Sequence, residues 1–205
     1  MKQQFKGQSL TLTKCVNNIL KVYNQASDKT SSTNWYVEAN VYAQNLATKY
    51  NVPLSVTCGV IASLSPLKSW SENKRIANSF LHNGKGEHTK CFIDKARQIK
   101  LSNGDVETIA SILNGNKIIS FFINILEPHQ QNFVTIDRHA LSIALGRNIL
   151  ENEGKGITLK QYEFFVSAYN VAGTKAKISP VLMQSITWVT WKELKKAVDN
   201  QDVPF

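Results

Sequence analysis

Apolar residues recur three and four positions apart along most of the chain, the spacing that lines one face of an α-helix. No pair of alternating β-branched runs is joined by a hairpin signature. The pattern predicts a first helix over Leu10 to Gln25, closed by the polar run ASDKTSSTN, and a second from about Trp35 to Tyr50. NVPLSVTCGVIASLSP predicts a short buried helix stopped at Pro66. SWSENKRIANSFL restarts as a helix, which the loop HNGKGEH ends through its two glycines. DVETIASILNG predicts a short helix from Asp105 to Leu113, and KIISFFINIL another before Pro128. A helix follows within NFVTIDRHALSIALG, and two more around Lys160 to Ala172 and Pro180 to Val198. With no internal repeat, low-complexity tract or linker, the expectation is an all-α domain of about ten short helices.

A chain of 205 residues suits one compact domain or two small halves sharing a core. No uninterrupted apolar run approaches bilayer-spanning length, and MKQQFKGQSLTLTK lacks the apolar centre of a secretory signal. The expectation is a soluble protein of the cytoplasm. Charge changes the picture more. Lys and Arg number 24 against 15 Asp and Glu, a formal net charge of +9, which suggests a polyanionic partner, because each phosphate contact by Lys or Arg releases counterions. Cys15, Cys58 and Cys91 are far apart, without CxxC or Cys/His ligand spacing, and read as reduced core thiols. His82, His88 and His129 lie near loops with no mutual spacing that suggests a metal.

Two stretches carry candidate chemistry. In NFVTIDRHALSIALG, the positions three, four, seven and eight after Asp137 are Ala140, Leu141, Ala144 and Leu145, so the carboxylate is expected one turn into the helix, on its core-facing stripe. An Asp there either accepts backbone N–H groups and complements the helix dipole, or is held for chemistry. Upstream, ILNGNKIISFFINIL ends one helix at Gly115 and begins another almost at once. The glycine is either a helix cap or a point where backbone approaches a phosphate.

Taken in order, Leu113, Gly115, the apolar helix after them, and then Ile136, Asp137 and His139 resemble the L-x-G hairpin and V-D-x-H block of the helix-hairpin-helix DNA glycosylase superfamily, including its endonuclease III-like members. A second block agrees: VTCGVIASLSPLKSWSENKRIANSFL is similar to the family's apolar helix, turn and following helix through Leu64, Ser65, Asn73 and Lys74. The resemblance implies a two-lobed all-helical domain, with a glycosylase-like core over 53–146 and its hairpin at 113–118. The N-terminal helices and 147–205 would form the second lobe. The small size and irregular hairpin suit a divergent member encoded by a bacterial virus and working in the host cytoplasm. The family's four-cysteine iron–sulfur loop is absent, since no cysteine follows Cys91, so no cofactor or metal is expected.

What the resemblance implies for function is a DNA glycosylase that acts as a monomer on double-stranded DNA and excises a damaged or modified base. Asp137 would stabilise an oxocarbenium-like transition state. His139 would orient it or touch phosphate, and Arg138 would contact DNA. Gly115, Asn116, Lys117, Lys68 and Lys74 would bind DNA, and Leu67 or Lys68 would plug the stack when the base is flipped; for Leu67 the alternative is a helix-end contact. Lys117 has two readings. Aligned without gaps, the hairpin puts Ile119 at the family's Schiff-base lysine, eighteen residues before Asp137, and leaves Lys117 as a phosphate contact. With a turn shortened by two residues, Lys117 becomes the nucleophile; the ungapped register is preferred, since a tight glycine turn leaves little room for deletion. Gln184 and Trp188, four apart, are base-pocket candidates, a glutamine amide reading a base edge and an indole stacking on it; Trp188 and Trp191 could equally close the core. Two other functions remain open: a transferase altering hypermodified pyrimidines in viral DNA, and a non-catalytic DNA-binding protein of the same fold.

Overall fold

The computed structural model describes residues 1–29, 35–149 and 156–199. The fold is all-α in character, with ten helices among the described residues, 69% helix and 4% strand. The helices are α1 (Leu12–Asn24), α2 (Trp35–Tyr50), α3 (Leu54–Ser63), α4 (Trp70–Asn83), α5 (Lys90–Lys100), α6 (Val106–Leu113), α7 (Asn116–Leu126), α8 (Arg138–Leu145), α9 (Leu159–Ala176) and α10 (Pro180–Asp199). The chain divides into two compact units, Met1–Trp35 with Gln131–Phe205, and Tyr36–Gln130. No helix is long and apolar enough to cross a membrane, among the described residues.

Two elements and one side chain depart from the pattern-based expectation. The chain opens with an antiparallel hairpin, β1 (Lys2–Phe5) and β2 (Gln8–Thr11), registered with Lys2 opposite Thr11 and Phe5 opposite Gln8. Its two-residue turn puts Lys6 and Gly7 at φ of 47° and 77°, the doubly left-handed geometry whose twist matches the flanking strands. The first helix therefore starts at Leu12 instead of Leu10, where the Thr11 hydroxyl accepts the Lys14 N–H at 3.2 Å. The second departure is α5, which spacing alone did not place. The third is Cys91, which is exposed, whereas Cys15 and Cys58 are buried free thiols. Burial pushes the Cys15 thiol up to about 11 and that of Cys58 up to about 12, so both stay protonated and inert at neutral pH.

The first unit packs α1 against α8, α9 and α10, with the hairpin laid on α9. Phe5 and Leu10 bring the strands into this core, Phe5 meeting Phe165 edge-on at 5.5 Å. The Asn18 amide donates to the Ala144 carbonyl at 2.9 Å, beside the C-cap Gly146 of α8 at φ 69°, where an added Cβ would fall 2.8 Å from that amide.

The second unit is organised around α3, whose residues Val56 to Ser63 are all buried, as expected for a helix apolar on every side. Gly59 admits its neighbours: a Cβ there would lie 2.7 Å from Ile109 Cγ2 and 2.9 Å from Ile99 Cγ2, so α5 and α6 lie directly on the α3 backbone. The turn after α3 has a Lys68 N–H to Ser65 carbonyl bond of 3.2 Å and Leu67 at φ 62°, a position that usually requires glycine or asparagine. Between α6 and α7 the connection is Asn114 and Gly115, at φ 51° and 102°.

Candidate functional site

Asp137 stands at the N-cap of α8, not one turn inside it: its backbone is extended, at φ −94° and ψ −176°, and the helix begins with Arg138. The stripe of Ala140, Leu141, Ala144 and Leu145 is buried as the spacing predicts, but the carboxylate lies at its head and is half-buried. Tyrosines of α9 hold the chain on both sides of it. Ahead of Asp137, the Tyr162 hydroxyl accepts the Ile136 N–H at 3.3 Å and donates to the Val134 carbonyl at 2.7 Å. Behind it, the Tyr169 hydroxyl donates to the Ala140 carbonyl at 3.2 Å; Tyr169 is fully buried, and burial raises its phenol above the ordinary range. Spaced seven apart, the two tyrosines lie on one face of α9.

Each carboxylate oxygen accepts one protein donor. Oδ1 takes the Ala140 N–H at 2.7 Å, and Oδ2 takes the indole N–H of Trp188 at 3.0 Å. Two donors from different helices fix the plane of the carboxylate and leave each oxygen a free lone pair. Trp188 is half-buried and flanked by other side chains. Its ring lies 5.5 Å from that of Trp35 and 6.1 Å, edge-on, from His139, with Lys192 Nζ 4.3 Å from its centroid. One turn on, Lys195 Nζ lies 5.8 Å from the Trp191 ring.

The surroundings of the acid are cationic. Burial holds the His139 imidazole below the usual histidine range; Asp137 opposes the shift, while Arg138, Lys195 and Lys192 add to it. Burial also lowers the Lys192 ammonium, with Lys196 adding and Asp137 opposing. The shift favours the neutral imidazole in the folded protein, whose Nδ1 is buried and unpartnered. The sign of the pH dependence follows. A histidine depressed on folding stabilises above its ordinary value of 6.5, and that contribution is lost as pH falls through the folded value. His88 is depressed as well, chiefly by burial. Denaturant unfolding should show stability level between about pH 7 and 8 and falling as pH drops below about 6.5; His139→Gln should remove part of that fall, and an unchanged profile would contradict this reading of His139.

Among the other sequence candidates of this unit, Arg138 is exposed on the first turn of α8. Gln184 lies one turn before Trp188 on α10 and is 4% exposed, so its amide belongs to the interior and is not presented at the surface. In the second unit, Leu67 is 70% exposed despite its left-handed backbone. Lys68 pairs with Glu72 at 3.6 Å. The turn carrying both is pinned from below: His88 Nδ1 accepts the Thr89 N–H at 2.8 Å, leaving Nε2–H to donate to the Pro66 carbonyl at 3.0 Å. Lys74 lies over the rings of Tyr42 and Trp70, at 5.5 and 5.7 Å. Gly115, Asn116 and Lys117 are exposed at the start of α7, with open space beside Gly115. No group of three His, Cys, Asp or Glu side chains could hold a metal among the described residues.

Trp35, Tyr162, Tyr169, Lys192 and Lys195 are the residues of the Asp137 site that sequence reasoning missed. The Trp188/Lys192 and Trp191/Lys195 pairs, each four apart, and the tyrosine pair seven apart were available as helical spacings. Nothing local links Trp35 to a residue at position 188.

No curated protein and no solved structure matches the chain. A family model does, over residues 1–195, and the chain belongs to the family it describes, the family of unknown function DUF7178.

Proposed function

We propose that the protein is a DNA glycosylase related to the helix-hairpin-helix class, cleaving the N-glycosidic bond of a damaged or modified base with Asp137 as its essential carboxylate. The observation that carries this reading is the carboxylate itself: half-buried, fixed by the Ala140 and Trp188 N–H groups, and set beside aromatic rings and several cations in a basic protein. As the bond from base to C1′ breaks, positive charge grows on the sugar. A carboxylate oriented in advance stabilises that charge without having to reorganise. Water then bonds to C1′ and gives up a proton, while the base leaves with the electron pair of the broken bond and takes up a proton.

Extruding the base costs a few kcal/mol and calls for a plug in the duplex stack. Leu67 suits the plug: an apolar side chain 70% exposed, on a backbone conformation that leucine seldom adopts, in a turn clamped by His88. Exposed strain of this kind is kept where a function needs it. Lys117 is the phosphate contact of the hairpin in this mechanism. It is exposed, whereas an amine nucleophile needs a desolvated site that keeps it neutral.

The test is mass spectrometry of what the protein releases from, or leaves on, a panel of modified duplexes, with borohydride present in a parallel set. The expected products are a free base and an intact abasic strand, with no covalent adduct. A mass gain on the base identifies a transferase and overturns the proposal, as does DNA binding without any product across a panel that spans the common lesions and hypermodified pyrimidines. An adduct that disappears in Lys117→Ala would make Lys117 the nucleophile.

A further inference from the structure

Four cations gather where α8 begins and α10 nears its end: Arg138, Lys192, Lys195 and Lys196. Arg138, Lys192 and Lys195 all act on His139 with the same sign, and Lys196 acts on Lys192. Among the described residues, none of the four lies within 4.0 Å of a carboxylate oxygen. The one acid within WVTWKELKK is Glu193, exposed and likewise unpaired. Elsewhere Lys68, Arg75, Lys90 and Arg97 pair with acids, and other exposed lysines such as Lys21 and Lys100 do not, among the described residues. Lys192 and Lys195 are laid over Trp188 and Trp191, which holds two of the charges in place on successive turns.

Four like charges held together repel, the single Asp137 carboxylate within their reach offsets only part of that repulsion, and an external anion lowers the rest. We infer that the α10 face of Lys192, Lys195 and Lys196, continued by Arg138, is a binding surface for the phosphodiester backbone of the DNA strand whose sugar meets Asp137. The inference rests on the glycosylase reading for its partner and adds to it a second set of phosphate contacts, on the unit that holds the carboxylate. Backbone contacts of this kind set the register of the strand without reading its sequence. The carboxylate alone would repel phosphate, so a neighbouring cationic track is what draws a polyanion towards it.

The test uses the full chain and a fluorescent duplex of ordinary bases, so that no chemistry intervenes. Lys195→Gln with Lys196→Gln, which touch neither Asp137 nor its donors, is compared with wild type across a salt series. Lys21→Gln with Lys100→Gln serves as a control of equal charge. Two lost phosphate contacts should lower the slope of log affinity against log salt by about 1.8 and weaken binding roughly thirtyfold at 0.15 M salt, whatever the DNA sequence. The control pair should change the slope far less.

An unchanged slope in the Lys195/Lys196 variant, with its thermal unfolding also unchanged, would overturn the inference, as would an equal loss in the control pair. Loss of binding to phosphatidylglycerol vesicles, with DNA binding untouched, would reassign the surface to a membrane. Base release by wild type is measured separately. If release occurs and the slope does not move, only this inference fails; if the slope falls and no base is ever released, the surface stands and the glycosylase reading fails.

Discussion

A chain ending at Ser179 should fail to fold, showing no cooperative thermal transition and no dispersed NMR spectrum. Removing α10 takes Val181, Met183 and Ile186 out of the interior, where each is at most 2% exposed, along with the buried Gln184, Ser185, Thr187 and Thr190. It also uncovers the faces of α1, α8 and α9 against which the helix packs. At about 1.5–3 kcal/mol for each large apolar side chain, those three alone represent roughly 5–9 kcal/mol. The stability of a whole domain is about 5–15 kcal/mol. The buried faces left behind add to the loss, and no metal-binding cluster among the described residues stands in for it. A soluble truncated chain with a sharp unfolding transition would show that α10 is an appendage and that the core is complete without it.

Helix α10 serves two ends. Its inner face completes the first unit, while Trp188 reaches the carboxylate and Lys192, Lys195 and Lys196 carry its charge. Of these roles, only the amphipathic helix was legible in the sequence. Helical periodicity is local, so wherever several large apolar residues mark a stripe the element is readable, as in α1, α3 and α7. In α5 the buried stripe is only Ile93, Ala96 and Ile99 among charged neighbours, too narrow to stand out. The opening hairpin buries a single large side chain on each strand, Phe5 and Leu10, and turns on Lys-Gly. That turn lacks the Asn-Gly or Asp-Gly pair that signals this geometry.

The position of Asp137 shows how close local reasoning comes. Its stripe of partners was correct, yet the helix begins about one turn later than expected, at Arg138, which turns an interior acid into a cap. The geometry is compatible with both capping and chemistry. Oδ1 caps the helix, while Oδ2 is turned to an indole fifty-one residues further along the chain. That second contact is set by how α8 and α10 pack, and no spacing in the sequence encodes it. The cationic surround has the same origin: +9 was visible in the composition, but not that four of the charges would gather around this acid.

The two donors on the carboxylate also change what substitution of Asp137 does. An asparagine offers one acceptor and one donor group, so its NH2 would face either the Ala140 N–H or the Trp188 N–H. One hydrogen bond is lost, at a cost of about 1–3 kcal/mol of stability. That is survivable for a domain of ordinary stability, and Asp137→Asn combined with Trp188→Phe removes the donor clash and recovers part of it. Neither variant restores the charge. A carboxylate about 4 Å from the developing cation, at an effective dielectric near 20, contributes about 4 kcal/mol, or roughly three powers of ten in rate. DNA affinity should change little, because the proposed phosphate contacts are made by other residues.

Single-turnover base release by wild type, Asp137→Asn and the Asp137→Asn/Trp188→Phe double variant, on the duplex that wild type processes fastest, is therefore the most direct measurement. A loss of about a thousandfold in both variants, with a folded protein and DNA affinity near that of wild type, is the predicted result; release within about tenfold of wild type in the folded double variant, a difference of only about 1.4 kcal/mol, would contradict the assignment of Asp137 as the group that carries the reaction.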